Sequence, residues 1–136
     1  MAEPTQITPI PRPTGMPPTN GYSHAVVASG EIVAVSGQLP IDQDGNLVGE
    51  GDPLTQTRQV FHNLTLALAA GGSDVGHILR LNFFVLDLAD LDAIRVARAE
   101  FLIGHPEPAN SLVQVSGLVL PGARLEIDAL AVVKRS

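Results

Sequence analysis

The stretch of sequence that decides the fold reads PANSLVQVSGLVLPGARLEID, from residue 108 to residue 128. A short loop at Pro108 leads into an apolar alternating segment at residues 112–115, and glycine and proline then mark a turn. A second apolar segment follows at residues 124–133. Successive side chains of a strand point to opposite faces. The pattern therefore predicts a β-hairpin whose second strand carries its charges on one face, at Arg124, Glu126 and Asp128.

Further strands are predicted upstream of this hairpin. Residues 23–28 and 31–36 are short runs rich in Ala, Val and Ile, and Ser29 and Gly30 separate them. A glycine between two apolar runs is typical of a hairpin turn. Residues 78–86 form a nearly continuous apolar run, which indicates a strand covered on both faces.

Two helices are predicted between these strands. Asp52 and Pro53 suit the cap and the first position of a helix, and Gly71 with Gly72 ends it. The second helix starts among acidic residues, which complement its dipole, and it stops before Pro106. Its buried side is expected to contain Leu91, Ile94, Val96, Ala97, Phe101 and Leu102.

The predicted element order is ββ-α-β-α-ββ, which defines a mixed α/β protein with two helices on one face of a sheet. Two helices cover only one face of such a sheet. The other face would then expose apolar side chains in a monomer, so we expect an oligomer in which the sheets pack together.

The first 20 residues differ from the rest because they are rich in proline. Proline lacks an amide donor and fixes φ, so this segment is expected to be extended and largely unpaired in sheets. It is either a flexible tail or a strap that lies on the surface or on a neighbouring subunit. Residues 21–136 are expected to form a single domain. The prolines of the segment are Pro4, Pro9, Pro11, Pro13, Pro17 and Pro18.

Composition excludes several classes of function. The chain has 136 residues, a net charge of −6, 4% aromatic residues and no cysteine. These values disfavour a nucleic-acid partner and exclude disulfides and thiolate chemistry. No signal peptide and no apolar run of membrane-spanning length occur, so a cytoplasmic protein is expected. Neither nucleotide-binding motifs nor metal-ligand spacings are present, so we expect no cofactor and no metal.

Several residues are candidates for chemistry, and each has a simpler interpretation. Glu126 is a candidate general acid or base, or else part of an exposed charged row with Arg124 and Asp128. Gly37, after Ser36, either lets a ligand approach the backbone or only permits a turn. Tyr22, the only tyrosine, either donates a hydrogen bond to a ligand or caps the edge of the core.

A set of short motifs in a fixed order resembles the RidA/YjgF family of small proteins over residues 21–133. The motifs are GYS at 21–23, VSGQLP at 35–40, QTRQV at 56–60, NL at 63–64, FFV at 83–85, PA at 108–109 and LEIDA at 125–129. The resemblance implies a chorismate-mutase-like fold and a homotrimer with inward-facing sheets and small-molecule clefts between subunits. It also implies hydrolysis of imino or enamino acids to keto acids and ammonia without a cofactor. Some members of this family are described as endoribonucleases of the L-PSP type or as translation inhibitors.

The resemblance also assigns residues to the cleft, with one important departure. Imine deaminases of this family carry an Arg after Pro-Ala, which binds the substrate carboxylate, and this chain has Asn110 there. Asparagine supplies no charge and no bidentate guanidinium. Leu112 occupies a position that is often Cys. The other cleft residues implied are Tyr22, Ser36 and Gly37, with Glu126 positioning or activating a water molecule.

The missing charge changes the predicted function. We expect a deaminase-type hydrolase that acts on an imine, an enamine or a related metabolite, but not the usual 2-imino acid deaminase. A trimer that binds a metabolite without turnover is the alternative, and ribonuclease activity is disfavoured by acidity and scarce aromatic residues. Arg124 and Arg58 are candidates to replace the charge.

Overall fold

A computed structural model describes residues 3–135. The strands and helices, numbered in chain order, are β1 (Gln6–Ile10), β2 (Ala25–Ser29), β3 (Ile32–Gln38), α1 (Pro53–Ala70), β4 (Ile78–Val85), α2 (Leu91–Leu102), β5 (Ala109–Gln114) and β6 (Leu125–Val132). A short 3₁₀ turn, Val75–His77, precedes β4, and a second, Leu88–Asp90, precedes α2.

The main sheet has four strands in the order β3-β6-β4-β5. Strand β6 is antiparallel to β3 and β4, and β5 is parallel to β4. The predicted hairpin of residues 108–133 is therefore wrong, because β4 lies between its two strands. The reason is α2, which carries the chain back across the sheet and makes β5 enter from the same end as β4.

The predicted hairpin of residues 23–36 is also wrong. Strand β2 pairs with β1 in a separate two-stranded sheet, and β3 pairs with β6. Gly30 has φ of +136°, which only glycine adopts readily, and a Cβ atom there would lie 3.3 Å from Thr5 Oγ1 and 3.4 Å from Val132 Cβ. This break redirects the chain from one sheet to the other instead of forming a tight turn.

Part of the proline-rich segment is paired in a sheet. Strand β1 runs through this segment, and Pro9 tolerates a position in an edge strand, where one missing amide donor costs little. Thr5 holds the start of the strand by donating its amide to Arg135 O at 3.1 Å and its hydroxyl to Val133 O at 2.6 Å. The expectation of a segment largely unpaired in sheets therefore fails for residues 6–10, which pair within their own chain, whereas residues 11–20 form no strand.

The helices form where the sequence predicts them. Asp52 caps α1 by accepting the Thr55 amide at 3.1 Å, and the Gly71 amide closes the other end on Ala67 O at 3.2 Å. In α2 the expected buried side is confirmed for Ile94 but not for Val96, which is 51% exposed. No described helix is long and apolar enough to cross a membrane.

The core lies between the helices and one face of the main sheet. It contains Val60, Phe61, Leu64 and Leu68 of α1, Ile94 and Ala97 of α2, and Leu81, Phe83, Val85, Leu125, Ile127 and Ala129 of the sheet. The opposite face, here called the open face, has no helix over it. Apolar side chains on it remain accessible, with Ile32 at 60%, Val113 at 48% and Leu130 at 37% exposure. Two helices on one face are thus confirmed, and the oligomer remains a prediction.

Candidate functional site

A cleft between β5 and α2 gathers three of the predicted site residues. Asn110 pairs with Leu81 and Leu112 pairs with Phe83, so both project to the helix side of the sheet. The cleft has a volume of about 280 Å³ and is lined by Asn20, Tyr22, Arg95, Arg98, Asn110 and Leu112. We call it the Asn110 cleft.

Two arginines of this cleft were not predicted from the sequence. Arg98 is only 6% exposed, and its Nη2 donates to Asn20 O at 2.7 Å. A Cβ atom at Gly21 would overlap the Arg98 guanidinium, so the glycine makes room for it. Burial lowers the pKa of Arg98, Arg95 lowers it further, and Glu107 and Tyr22 act in the opposite direction. The signal in the sequence was the three-residue spacing of Arg95 and Arg98, which puts them on one helix face.

Asn110 contributes an unusual polar atom to this cleft. Its Oδ1 is the only fully buried side-chain N or O atom without a hydrogen-bond partner among residues 3–135. Leaving such an atom unpaired typically costs about 1–3 kcal/mol. Because this atom has almost no accessible surface, Asn110 lines the cleft through its other atoms.

A second cluster lies on the open face, around Glu126. A β-bulge interrupts the register of β3 between Val35 and Gln38, and it holds Ser36 and Gly37. A Cβ atom at Gly37 would lie 2.7 Å from Glu126 Cδ, so only glycine lets the β3 backbone approach the carboxyl group this closely. We call Ser36, Gly37 and Glu126 the Glu126 cluster.

Glu126 and Asp128 share a strand face but differ in their partners. Asn82 Nδ2 donates to Asp128 Oδ1 at 2.8 Å, which ties that carboxylate to β4. Glu126 makes no side-chain hydrogen bond or ion pair with any residue in 3–135. All three charged residues are half-buried, and Glu126 is the carboxylate available to a ligand or to water.

The Asn110 cleft and the Glu126 cluster do not meet within one subunit. Asn110 lies opposite Leu81 and Glu126 lies opposite Phe84, and these two β4 residues point to opposite faces. Their strands β5 and β6 are not neighbours, because β4 lies between them.

Neither arginine suggested as a replacement for the missing charge is free. Arg124 Nε and Nη2 donate to Asp90 at 2.7 and 3.0 Å, and this hydrogen bonding raises the pKa of Arg124. Arg58 donates to Glu100 at 2.9 and 2.6 Å. Neither side chain lines the Asn110 cleft.

A larger concave surface than the Asn110 cleft lies between α1 and residues 38–43, with a volume of about 680 Å³. Its amide side chains are occupied in holding that loop. Asn63 Nδ2 donates to Leu39 O at 3.0 Å and to Ile41 O at 2.9 Å, and Gln59 also donates to Ile41 O. In the part of the chain that the structure describes, no three His, Cys, Asp or Glu side chains come together as a metal site.

The fold and its two residue clusters define a class of small α/β proteins with two helices over one face of a mixed sheet and an uncovered second face. Comparison with known proteins identifies the family. The family model described as "Endoribonuclease L-PSP" matches residues 14–133. The chain therefore belongs to this family, the RidA/YjgF family that its motifs resemble.

Individual relatives agree with this assignment. The chain is 39% identical to Protein DfrA of Myxococcus xanthus over 112 residues, 82% of this chain and 84% of the relative. It is 37% identical to the 3-aminoacrylate deaminase RutC of Acinetobacter baylyi over 119 residues, 88% of this chain and 93% of the relative. Its fold is similar to that of YyfB of Yersinia pestis, a Rid protein of unknown function. That match has a TM-score of 0.86 and 34% identity, and it covers 96% of this chain and 100% of YyfB.

Proposed function

We propose that three copies of this chain assemble with their open faces inward, so that the Asn110 cleft of one subunit meets the Glu126 cluster of the next. Two observations support this arrangement. The clusters lie on opposite faces of one sheet, and the open face carries the exposed Ile32, Val113 and Leu130. A closed ring of identical interfaces would bury these side chains and complete one site at each interface.

In this assembly the protein hydrolyses the C=N bond of a small imine, or of an enamine after its tautomerisation. Glu126 accepts a proton from water as the water oxygen adds to the carbon of the C=N bond. Proton transfer to nitrogen then releases ammonia and leaves a C=O group, so one water is consumed and no redox partner is needed. The similarity to an aminoacrylate deaminase supports this class of reaction.

The observation that carries the proposal is the Glu126 carboxylate, which lacks a partner in the described chain and is held against Gly37. The bulge at Ser36 and Gly37 brings backbone to the same point, where it would orient the substrate. Tyr22 and Asn110 would contribute neutral hydrogen bonds from the other subunit, and Leu112 an apolar wall.

Ammonia release from imines and enamines generated in the assay tests the reaction. The parent protein is expected to accelerate release, and Glu126→Gln is expected to lose about 10²-fold or more in rate. Asp128→Asn is the matched control, because it removes a carboxylate two residues away whose partner is Asn82. Equal rates for the parent and Glu126→Gln would rule the reaction out and leave a metabolite-binding trimer.

A further inference from the structure

We propose that Arg95 and Arg98 of α2 make the Asn110 cleft an anion site that binds the carboxylate of a small organic acid. The inference rests on the proposed function, since it names what that cleft recognises. The positive charge that position 110 lacks on the strand would then come from the helix on the opposite wall of the cleft.

The first argument is that Arg98 is buried without a counter-ion. Three other arginines, Arg58, Arg124 and Arg135, each form an ion pair with a carboxylate. Arg98 is more buried than any of these, yet no carboxylate of residues 3–135 lies within ion-pair distance of it. A buried charge without a partner is costly, and an anion in the cleft would offset that cost.

The second argument is that a second cation lies beside the first. Arg95 precedes Arg98 by one helical turn and lines the same cleft. Two like charges on one helix face repel each other, and here they do so in a protein whose net charge is −6. A bound anion would turn this repulsion into a shared attraction, and two guanidinium groups provide paired donors that suit a carboxylate.

The third argument fixes the side on which the anion would bind. Arg95 and Arg98 also line an adjoining concavity, of about 320 Å³, but Glu107 lines it as well. No acidic residue lines the Asn110 cleft, so an anion is favoured there. Asn110 lines the same cleft and adds no negative charge to it.

The Arg98 guanidinium has N–H donors that form no hydrogen bond within the described chain. Its only side-chain hydrogen bond within the described chain runs to Asn20 O. Its nitrogens are absent from the set of fully buried, unpaired atoms, which holds only Asn110 Oδ1 among residues 3–135. The remaining N–H groups therefore face accessible space, where a ligand can reach them.

Titration with 2-oxobutanoate and with its neutral amide, 2-oxobutanamide, tests the site in the assembled protein. The carboxylate is expected to bind about tenfold or more tightly than the amide, because a charge-assisted hydrogen bond is replaced by a neutral one. Arg95→Gln should weaken carboxylate binding about tenfold and leave amide binding unchanged. Arg58→Gln is the matched control, since it removes the same charge outside the cleft.

Arg98→Gln could disturb folding, because the side chain is buried against Gly21. Arg98→Lys keeps the charge and should retain more carboxylate affinity than Arg98→Gln, while Arg95→Gln tests the site independently. Equal affinity for acid and amide, or no loss with Arg95→Gln, would overturn the proposal. So would the absence of any binding by the parent at about 10 mM acid, well above a millimolar Kd.

Glu126→Gln separates this inference from the proposed reaction. It is expected to bind 2-oxobutanoate at least as tightly as the parent, because it removes a negative charge from the assembled site, while losing turnover. If turnover survives in Glu126→Gln but the arginine variants lose binding, the reaction fails and the anion site stands. If Arg95→Gln breaks the trimer and the parent binds no acid, the arginines serve a subunit contact and the anion site is refuted.

Discussion

Asn110 and Glu126 lie on opposite faces of one four-stranded sheet. Strand β4 lies between their two strands, with Leu81 paired to Asn110 and Phe84 paired to Glu126. No rotation of either side chain brings them into one pocket of a single chain. If both serve one reaction, they must come from different subunits, and this requirement can be tested without knowing the substrate.

Mixed oligomers provide that test. Tyr22→Ala damages the Asn110 cleft and Glu126→Gln damages the Glu126 cluster, so each variant alone is expected to be inactive. They are co-expressed in equal amounts with two different tags, and every trimer that contains both variants then has one interface of three with both intact halves. We expect about a third of the parent rate in the doubly tagged fraction. Activity no greater than that of the single variants would place the two halves in unrelated sites.

Gly37 is predicted to control the position of Glu126. In Gly37→Ala the new methyl group would overlap the Glu126 carboxyl, which lies 2.7 Å from the Cβ position. The overlapping atoms are the far end of the Glu126 side chain, which can move aside at little cost in stability. Displacement of a catalytic group by about 1 Å nevertheless costs up to about 10²-fold in rate. We expect kcat to fall while the thermal midpoint changes little. Gly117→Ala is the control, because a Cβ there meets no atom within 4 Å, and an equal loss of rate in both variants would contradict the role.

The helices of this protein were predictable because their signals are local. Asp52, Pro53 and Gly71 act within one turn of the chain, and each does what its type favours. Strand pairing is not local in this way. Whether β6 lies beside β5 or beyond β4 depends on the path of α2, so a hairpin rule applied to residues 108–133 gave the wrong neighbours.

The candidate site was predictable in part, but through the resemblance and not through local signals. The order of the motifs assigned Tyr22, Asn110 and Leu112 to one cleft, and the three residues line one cleft in the structure. Arg98 was missed because an arginine on a helix normally lies at the surface, and only the packing of Gly21 against it reveals its burial. The bulge that holds Ser36 and Gly37 depends on the register with β6, which no local pattern encodes.

The open face is predicted to hold the oligomer together. Leu130 lies on this face and is 37% exposed in the single chain, whereas Val96 is 51% exposed on the outer side of α2. Leu130→Glu would bury a charge against a neighbouring sheet and should dissociate the oligomer. Val96→Glu, which adds the same charge on the helix side, should leave it intact. Light scattering measures both, and an intact trimer with Leu130→Glu, or a monomeric parent, would contradict the assembly.

Moving the positive charge from α2 to β5 is predicted to change which acid the cleft accepts. Asn110→Arg alone places a third guanidinium near Arg95 and Arg98, so repulsion should limit its benefit. Asn110→Arg combined with Arg95→Gln keeps the charge of the cleft constant and puts a bidentate donor on the strand. We expect kcat/KM for 2-iminobutanoate to rise about tenfold or more over the parent in the double variant, and less in Asn110→Arg alone.

The comparison also includes Asn110→Arg with Arg58→Gln, which keeps the total charge constant but leaves both cleft arginines in place. Because Arg58 lies outside the Asn110 cleft, bonded to Glu100, this variant should behave like Asn110→Arg alone. If it equals the Arg95→Gln combination, repulsion inside the cleft is not the limiting factor. If none of these variants deaminates 2-iminobutanoate, a charge at position 110 is not sufficient to create that activity. The position of the guanidinium, on β5 or on α2, then does not determine which acid the cleft accepts.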